Sequence, residues 1–587
     1  MGLPTGLPTG LPTGAPVAAV PAAVPAPALV LRGALVVDGS GGHPYRADVV
    51  TRDGLITAIH REGDPGPRPG TASGPGSGAG RVVDADGLAL APGFIDMHAH
   101  SDLALLTDPG HQAKAAQGVT LEVLGQDGLS YAPVDDRTLA GLRGQLAGWN
   151  GEPAGLDWSW RGVGEYLDRL DAGPAGHGLA VNAAYLVPHG TLRALVLGWE
   201  DRPATADELR RMRELLARGL AEGAVGLSAG LTYSPGMYAG TDELVELCRT
   251  VAEFDGYFCP HHRSYGADAL GAYAETIDIA RRSGCALHLA HATMNFEVNR
   301  GRAGELLALL DSAQDVDLSL DSYPYLPGST TLAALLPGWA TAGGPQQTLR
   351  RLADPAARAA IREAMEVHGS DGCHGVVADW TTVQVSGVRS AELRSTVGLT
   401  VAQLAERERE SGFDAFVRLL RQDELATTIL QHVGHEENVR AIMRHRTHTG
   451  GSDGLLTGDR PHPRAYGTFP RYLGHYVREQ GVLSLAECVE HLSARPARRL
   501  RLADRGLVRT GYRADLVLFD PDTVAAGSSY EHPRRTPRGI PYVLVSGTPV
   551  IDDHRRTEAT PGRTVRRTTS SGPRPDRALH RRAASAP

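Results

Sequence analysis

Eight apolar, strand-like runs separated by amphipathic helical stretches constrain this chain more than any other feature. In order they are GFIDMHAH (93–100), TLEVLGQD (120–127), LAVNAAYLVPH (179–189), AVGLSAGLTY (224–233), YFCPHH (257–262), ALHLAH (286–291), DVDLSLDSYPY (315–325) and HTGGSD (448–453). Stretches between them, such as TADELRRMRELLARGLAEG (205–223), carry the apolar spacing of a helix with one buried face. Strand–helix alternation is the pattern of a parallel sheet, whose neighbours need a crossover connection. Eight such units predict an α/β fold, a TIM (β/α)8 barrel, with an open doubly wound sheet as the rival on pattern alone. The polar residues matter most. Run after run ends in His or Asp: His98 and His100, Asp127, His189, His261, His291, Asp453. The C-terminal strand ends of a barrel form one rim, where residues far apart in sequence converge.

The flanks read differently. ALVLRGALVVDGSG and ADVVTRDGLITAI near the start, and GYRADLVLFDPDTV (511–524) and GIPYVLVSGTPVIDD (539–553) near the end, are short strands with hairpin turns. They predict a small β-sandwich domain built from both chain ends, with residues 28–91 as its first part and 505–567 as its second. The barrel then spans 92–504. Residues 1–27, with GLPT three times, and the arginine-rich tail 568–587 are too poor in core-forming residues to fold and are expected to be disordered. The interval 63–80 is a Pro/Gly/Ser loop. The 122 residues from Leu326 to Thr447 are too many for one βα connection and predict an inserted, lid-like segment over the barrel mouth. Cys373 and His374, within it, are read as incidental.

Composition excludes several classes. A net charge of −8 and a pI near 6.3 carry no polyanion-binding signature, so nucleic acid is not an expected partner. Five dispersed cysteines without a C-x-x-C indicate neither a disulfide framework nor a zinc knuckle and suit a reduced, cytoplasmic setting. No apolar run approaches the length of a membrane helix, and the proline-broken N-terminus without a basic region reads as untargeted.

H-A-H places His98 and His100 at i and i+2, on one face of a strand and within reach of one cation. The Pro-Gly entry into the apolar strand that ends on the pair strengthens a metal reading. His291 closes the sixth run and is favoured over His288 as a ligand, with His288 in the core or supporting it. At the fifth run alternation does not choose between His261 and His262. Asp453, in G-G-S-D-G at the end of the eighth run, is placed to move a proton between water and a leaving amine.

H-A-H-S-D, GVTLEVLGQDGLSYAPV (118–134), PHGTLR (188–193), GAVGLSAGLTYSP (223–235), HHR (261–263), LAH (289–291), YPYLPGST (323–330), GSDG, HPRAYGTFPRYLG (462–474) and ARPARRLRLADRGLVRTGYRADLVLFDPDTV (494–524) keep their order and spacing. From about residue 29 to 567 the chain resembles the N-acyl-D-amino-acid deacylases (D-aminoacylases) of the amidohydrolase superfamily. The resemblance implies zinc, as one or two ions with Mn or Co as alternatives. His261 and His291 would hold the tight metal, and His98 and His100 would border a weaker second position. Asp453 would be the catalytic acid/base, while Tyr323, Ser329 and Arg464 would hold the substrate's α-carboxylate. His189 is a candidate donor to the developing oxyanion, or else a structural residue at a strand end.

Two positions depart from that pattern. G-Q-D-G puts Asp127 where the family has a cysteine ligand, which keeps a metal ligand but makes it an oxygen. Thr293 stands where the family often has a lysine beside the carboxylate. A third point follows from counting: Lys114 is the chain's single lysine, the other 58 cationic residues being arginine. The fourth strand therefore has no lysine to be carboxylated as a metal bridge, and Schiff-base chemistry would have to use Lys114. The expected activity is hydrolysis of the amide bond of a small-molecule N-acyl-D-amino acid. The rivals are a dipeptidase acting on peptides with a C-terminal D-residue, and a deaminase.

Overall fold

The computed structural model describes residues 28–64 and 80–567. The expectations for 1–27, for most of the 63–80 loop and for 568–587 lie outside the described residues.

The eight runs form eight strands: β1 (Phe94–Asp96), β2 (Val119–Leu124), β3 (Asn182–Pro188), β4 (Gly226–Gly230), β5 (Tyr257–His261), β6 (Ala286–Leu289), β7 (Leu318–Ser322) and β8 (His448–Gly450). They pair in sequence order, parallel throughout. β8 and β1 meet across the seam, where Ala99 bridges in parallel to Gly454, the Met97 N–H donates to the Gly450 carbonyl at 3.2 Å and the Asp453 N–H to the His98 carbonyl at 2.8 Å. This is the TIM barrel that the alternation predicts. The strands are buried almost throughout because helices cover the outer face and side chains fill the inside. The helix Ala206–Ala221 shows how the outer ring is made: Thr205 and Glu208 form a capping box, and Met212, Leu215, Leu216 and Leu220 line its buried stripe.

The strands are shorter than the runs. β1 ends at Asp96, so the H-A-H pair, expected on a strand, lies just beyond it, with only Ala99 bridged. β2 ends at Leu124, three residues before Asp127, and β8 ends at Gly450, three before Asp453. The candidate ligands thus sit on the rim loops, apart from His261, which closes β5.

The two chain ends share one nine-stranded sheet, joined where Ala89–Pro92 pairs antiparallel with Leu516–Phe519. Leu31, Val36, Val49 and Ile56 from the first part meet Leu516, Leu518 and Leu544 from the second in one apolar core, which ties the ends together.

Between β7 and β8 the chain builds a three-stranded antiparallel sheet, Gly328–Thr331, Val383–Gly387 and Thr428–Gln431, the last in the middle. Helices pack on it around a core of its own that includes Leu352, Ile361, Met365, Phe413 and Phe416. Among the described residues no helix is long and apolar enough to cross a membrane.

Beneath the rim at the β1–β8 seam lies a buried charge network. The Lys114 ammonium donates to Asp96 at 2.6 Å and to the Ser452 hydroxyl at 3.0 Å, and lies 3.2 Å from Glu122. Glu122 also accepts from Ser101 at 2.7 Å and contacts His111. Burial alone would discharge Lys114, but Asp96 and Glu122 outweigh it and raise its pKa. Asp96 in turn accepts from the backbone N–H groups of Ser452 (2.8 Å) and His98 (3.2 Å). The network therefore fixes both strand ends that carry site residues.

Candidate metal centre and catalytic pocket

The rim loops bring His98, His100, Asp127, His261, His291 and Asp453 together. Two groups form, His98/His100/Asp127/Asp453 and Asp127/His261/His291, each with ligand atoms within 4.8 Å of one another, and Asp127 belongs to both. Its Oδ1 lies 3.4 Å from His98 Nε2 and 3.4 Å from His291 Nε2; its Oδ2 lies 3.5 Å from His100 Nε2 and 3.7 Å from His261 Nδ1. Asp453 Oδ1 stands 3.2 Å from His100 Nε2 and 3.8 Å from His98 Nε2.

These separations fit a shared cation. Ligands bonded to zinc at about 2.1 Å in tetrahedral array lie about 3.4 Å apart. Buried polar atoms also need a partner. His98 Nε2 and Asp127 Oδ1 are buried, face each other and have no hydrogen-bond partner among the described residues, and a cation between them would satisfy both. Burial opposes ionisation of Asp127, but the neighbouring His98, His291 and His261 rings outweigh it and hold its carboxyl well below the usual carboxylate range. Burial lowers the pKa of His261 and favours the neutral, ligating imidazole.

The rings are held from behind. Thr232 Oγ1 lies 2.7 Å from His261 Nε2, and the Tyr265 hydroxyl 3.1 Å from His291 Nδ1. Asp321, the next-to-last residue of β7, is fully buried; it accepts from the His291 backbone N–H at 3.0 Å, lies 3.1 Å from His288 Nε2 and faces His98 Nδ1 at 3.7 Å. His288 therefore supports the site through Asp321. Sequence reading passed over Asp321 because an Asp inside an apolar strand looks like a break in the pattern rather than a rim residue.

Three site residues take the left-handed backbone region: Asp127 (φ 54°), His291 (φ 30°) and Asp453 (φ 48°). Such φ values are sparse for residues with a Cβ and persist where the surroundings enforce them. Around Asp127 the enforcement is close packing against β4. A Cβ at Gly230 would stand 2.1 Å from the Asp127 carbonyl oxygen, and one at Gly128 2.4 Å from the Gly230 nitrogen.

Tyr323 and Ser329 line the pocket beside the two groups. Arg464 is fully buried over the Tyr323 ring (4.4 Å); its Nη2 forms an ion pair with Asp453 Oδ2 at 2.9 Å and donates to the Ser329 carbonyl at 3.2 Å. Its Nε and Nη1 have no partner among the described residues. Burial opposes ionisation of Asp453 too, yet Arg464 and His100 outweigh it and keep the carboxyl ionised at neutral pH.

One expectation is narrowed and one is corrected. His189 opens the helix His189–Val196, is fully buried, and pairs through Nε2 with Glu243 at 2.8 Å, which also binds Arg193. The engagement of Nε2 by Glu243 supports the structural one of the two readings. His374, read as incidental, does line the pocket, since the insertion folds back over the mouth. Its ring packs against Tyr265 and Phe296, and burial, reinforced by the nearby His261, lowers its pKa to about 3. Thr293 also lines the pocket, its hydroxyl donating to Asn295 at 2.8 Å.

Comparisons with known proteins agree with this arrangement. Residues 81–551 match the profile of the Amidohydrolase family. The chain is 34% identical over 550 residues to a D-aminoacylase of Alcaligenes xylosoxydans xylosoxydans, covering 92% of this chain and 98% of that one. An N-acyl-D-glutamate deacylase of the same organism is also 34% identical, covering 93% and 98%. Among solved structures, an N-acyl-D-glutamate deacylase from Bordetella bronchiseptica, complexed with zinc and a phosphonate mimic of the tetrahedral intermediate, superposes with a TM-score of 0.75 at 31% identity, covering 92% of this chain and 99% of that one. With matches of this extent and a shared fold, the chain belongs to the amidohydrolase family, on its D-aminoacylase branch.

Proposed function

We propose that the protein hydrolyses the amide bond of N-acyl-D-amino acids with the help of bound zinc, giving a carboxylate and a D-amino acid. The observation that carries this reading is the convergence of two ligand groups on Asp127, with Asp453 poised beside them. His261 and His291 with Asp127 would hold one ion, and His98 and His100 with Asp127 a second. When bound, zinc supplies Lewis acidity that polarises the scissile carbonyl and activates water.

The chain's own groups supply the rest. Asp453, ionised and 3.2 Å from His100, takes the proton of the attacking water and delivers it to the leaving nitrogen as the C–N bond breaks. Arg464 offers its unpaired Nε and Nη1 to the α-carboxylate, with Tyr323 and Ser329 at the same end. Its third nitrogen stays on Asp453, so the group that anchors the substrate also orients the base. The pocket that gathers these groups is small, about 70 Å³.

Turnover of paired N-acetyl-D- and N-acetyl-L-amino acids, with metal analysis of the same sample, tests the proposal. The D-enantiomers are expected to be cleaved by zinc-loaded protein and the L-enantiomers poorly. Equal rates on both would sink the stereochemical assignment, and inactivity of zinc-loaded protein on the whole panel would sink the deacylase reading.

Asp321→Asn checks the metal centre separately. Loss of a carboxylate that orients metal-binding histidines costs about 10–100-fold in metal affinity. Zinc retention in a competitive chelator series is expected to fall accordingly, and an unchanged affinity would remove Asp321 from the centre.

A further inference from the structure

Arg464 opens the helix Arg464–Arg471, so its backbone N–H has no carbonyl within the helix to bind. The ring of His462 takes that place. Its Nδ1 accepts from the Arg464 N–H at 3.0 Å, and its Nε2 donates to the Pro327 carbonyl at 3.1 Å. A carbonyl only accepts and a backbone N–H only donates, so the two partners fix one neutral tautomer, with the proton on Nε2. Burial, seconded by the neighbouring Arg464 charge, holds the His462 pKa well below the ordinary histidine range and keeps that form.

Pro327 directly precedes the strand Gly328–Thr331, which carries Ser329. His462 thus ties the main chain on the Arg464 side of the carboxylate end to the main chain on the Ser329 side. Arg464 adds a second link with its side chain, whose Nη2 reaches the Ser329 carbonyl at 3.2 Å. Anchored at both its backbone and its tip, the arginine keeps Nε and Nη1 without a partner among the described residues. Donors already held in place spare the substrate part of the ordering cost of binding.

The small β domain completes the setting. Between its strands Leu516–Phe519 and Tyr542–Val545 the chain forms a loop whose Ser528 hydroxyl donates to the Pro463 carbonyl at 3.0 Å. Tyr530 of the same loop stands edge-on to the His462 ring at 5.4 Å, and Tyr325 stands edge-on to it at 5.1 Å. Arg534, further along the loop, donates to the Asp459 carbonyl at 3.1 Å. His462 is fully buried among these contacts. A part of the fold remote in sequence from β7 and β8 therefore encloses the residue that seats Arg464.

We propose that His462 is a positioning residue for the reaction: it sets Arg464 and Ser329 in register to receive the α-carboxylate, and Ser528 and Tyr530 of the small β domain hold it there. The proposal rests on the deacylase reading of the catalytic pocket. The test measures kcat/KM, zinc content and urea midpoint of the zinc-loaded, full-length protein, with the N-acetyl-D-amino acid that the wild type turns over best. His462→Phe keeps a ring among the tyrosines and loses both hydrogen bonds, and kcat/KM is expected to fall about 10-fold to 100-fold at unchanged zinc content. His462→Asn returns an acceptor to the Arg464 N–H and is expected to recover about 3-fold or more of that loss. In an Arg464→Lys background, where the guanidinium fork is already gone, His462→Phe is expected to cost less than about 3-fold, because residues that act as one unit do not add. A histidine that served stability alone would cost the same in both backgrounds. Full additivity, no recovery in His462→Asn, or an unchanged kcat/KM in His462→Phe would overturn the positioning role and leave the deacylase reading standing. A wild type inactive on every N-acetyl-D-amino acid would remove both. Tyr530→Ala leaves both hydrogen bonds and Arg464 in place and is expected to lower kcat/KM by about 3-fold or more in the parent chain only. The same two-background comparison on Tyr530→Ala decides the matter where the His462 variants fail to fold.

Discussion

Asp453→Asn is expected to lower kcat by about 100-fold to 10,000-fold, the contribution typical of a positioned acid/base group. The amide keeps the shape of the carboxylate and a carbonyl oxygen toward Arg464, but it cannot take a proton from water or pass one to the departing amine. The pairing geometry makes a second effect readable. Arg464 now divides its donors between Asp453 and the substrate end, and in the variant it loses its one charged partner. KM for N-acyl-D-amino acids should therefore hold or fall while kcat collapses, a split that a general loss of structure would not produce. The measurement needs zinc content determined on the same sample, because Asp453 also borders the His98/His100 group. A zinc-replete variant within threefold of wild-type kcat would remove Asp453 from the proton path.

Lys114→Met is expected to destabilise the barrel by about 3–5 kcal/mol, the loss that follows when one partner of a buried ion pair is removed and the other is left uncompensated. Two carboxylates, Asp96 and Glu122, are stranded together, both fully buried. The urea midpoint should drop by the corresponding amount. The combined variant Lys114→Met, Asp96→Asn, Glu122→Gln should recover much of it, because no buried charge is then left alone; failure to recover would point to lost packing instead. Acid carries a related signature. The neighbouring His111 and Lys114 overcome the burial penalty and hold Glu122 at about 2, against an ordinary 4.5. A carboxylate depressed in the fold contributes stability that is fully present above its ordinary pKa and is lost as pH falls toward the folded value. The stability change between pH 4.5 and 2 should accordingly be smaller in Glu122→Gln than in the parent chain.

The barrel was readable in the sequence because both of its signals are local. Apolar runs at strand length alternate with helices at helical spacing, and the ligands punctuate the ends of those runs. The loops from Gln126 to Gly128 and from Ser452 to Gly454 show where the reading stops. Nothing in a single run says that the strand ends three residues early and that the Asp is held at positive φ. That conformation comes from neighbouring strands pressing on the rim. His374 was misread for a different reason: a contact made across a long return of the chain depends on how the insertion packs, and no spacing rule reports it. His189 was left between two readings. It satisfies the strand-end pattern, yet Glu243, some 50 residues downstream, engages its imidazole. Asp321 combines both difficulties, an apolar-looking strand position and partners from β6 and from the loops after β6 and β1.

Lys114 has a practical consequence as well. Every lysine amine of this protein is one amine, fully buried at the seam where the barrel closes. Amine-directed reagents will find no lysine on the folded surface, so labelling at Lys114 clocks the opening of the β1–β8 seam itself. The chain thereby carries a built-in, single-lysine reporter of its own barrel integrity, told apart by peptide mass from labelling of the α-amine and needing no engineered probe.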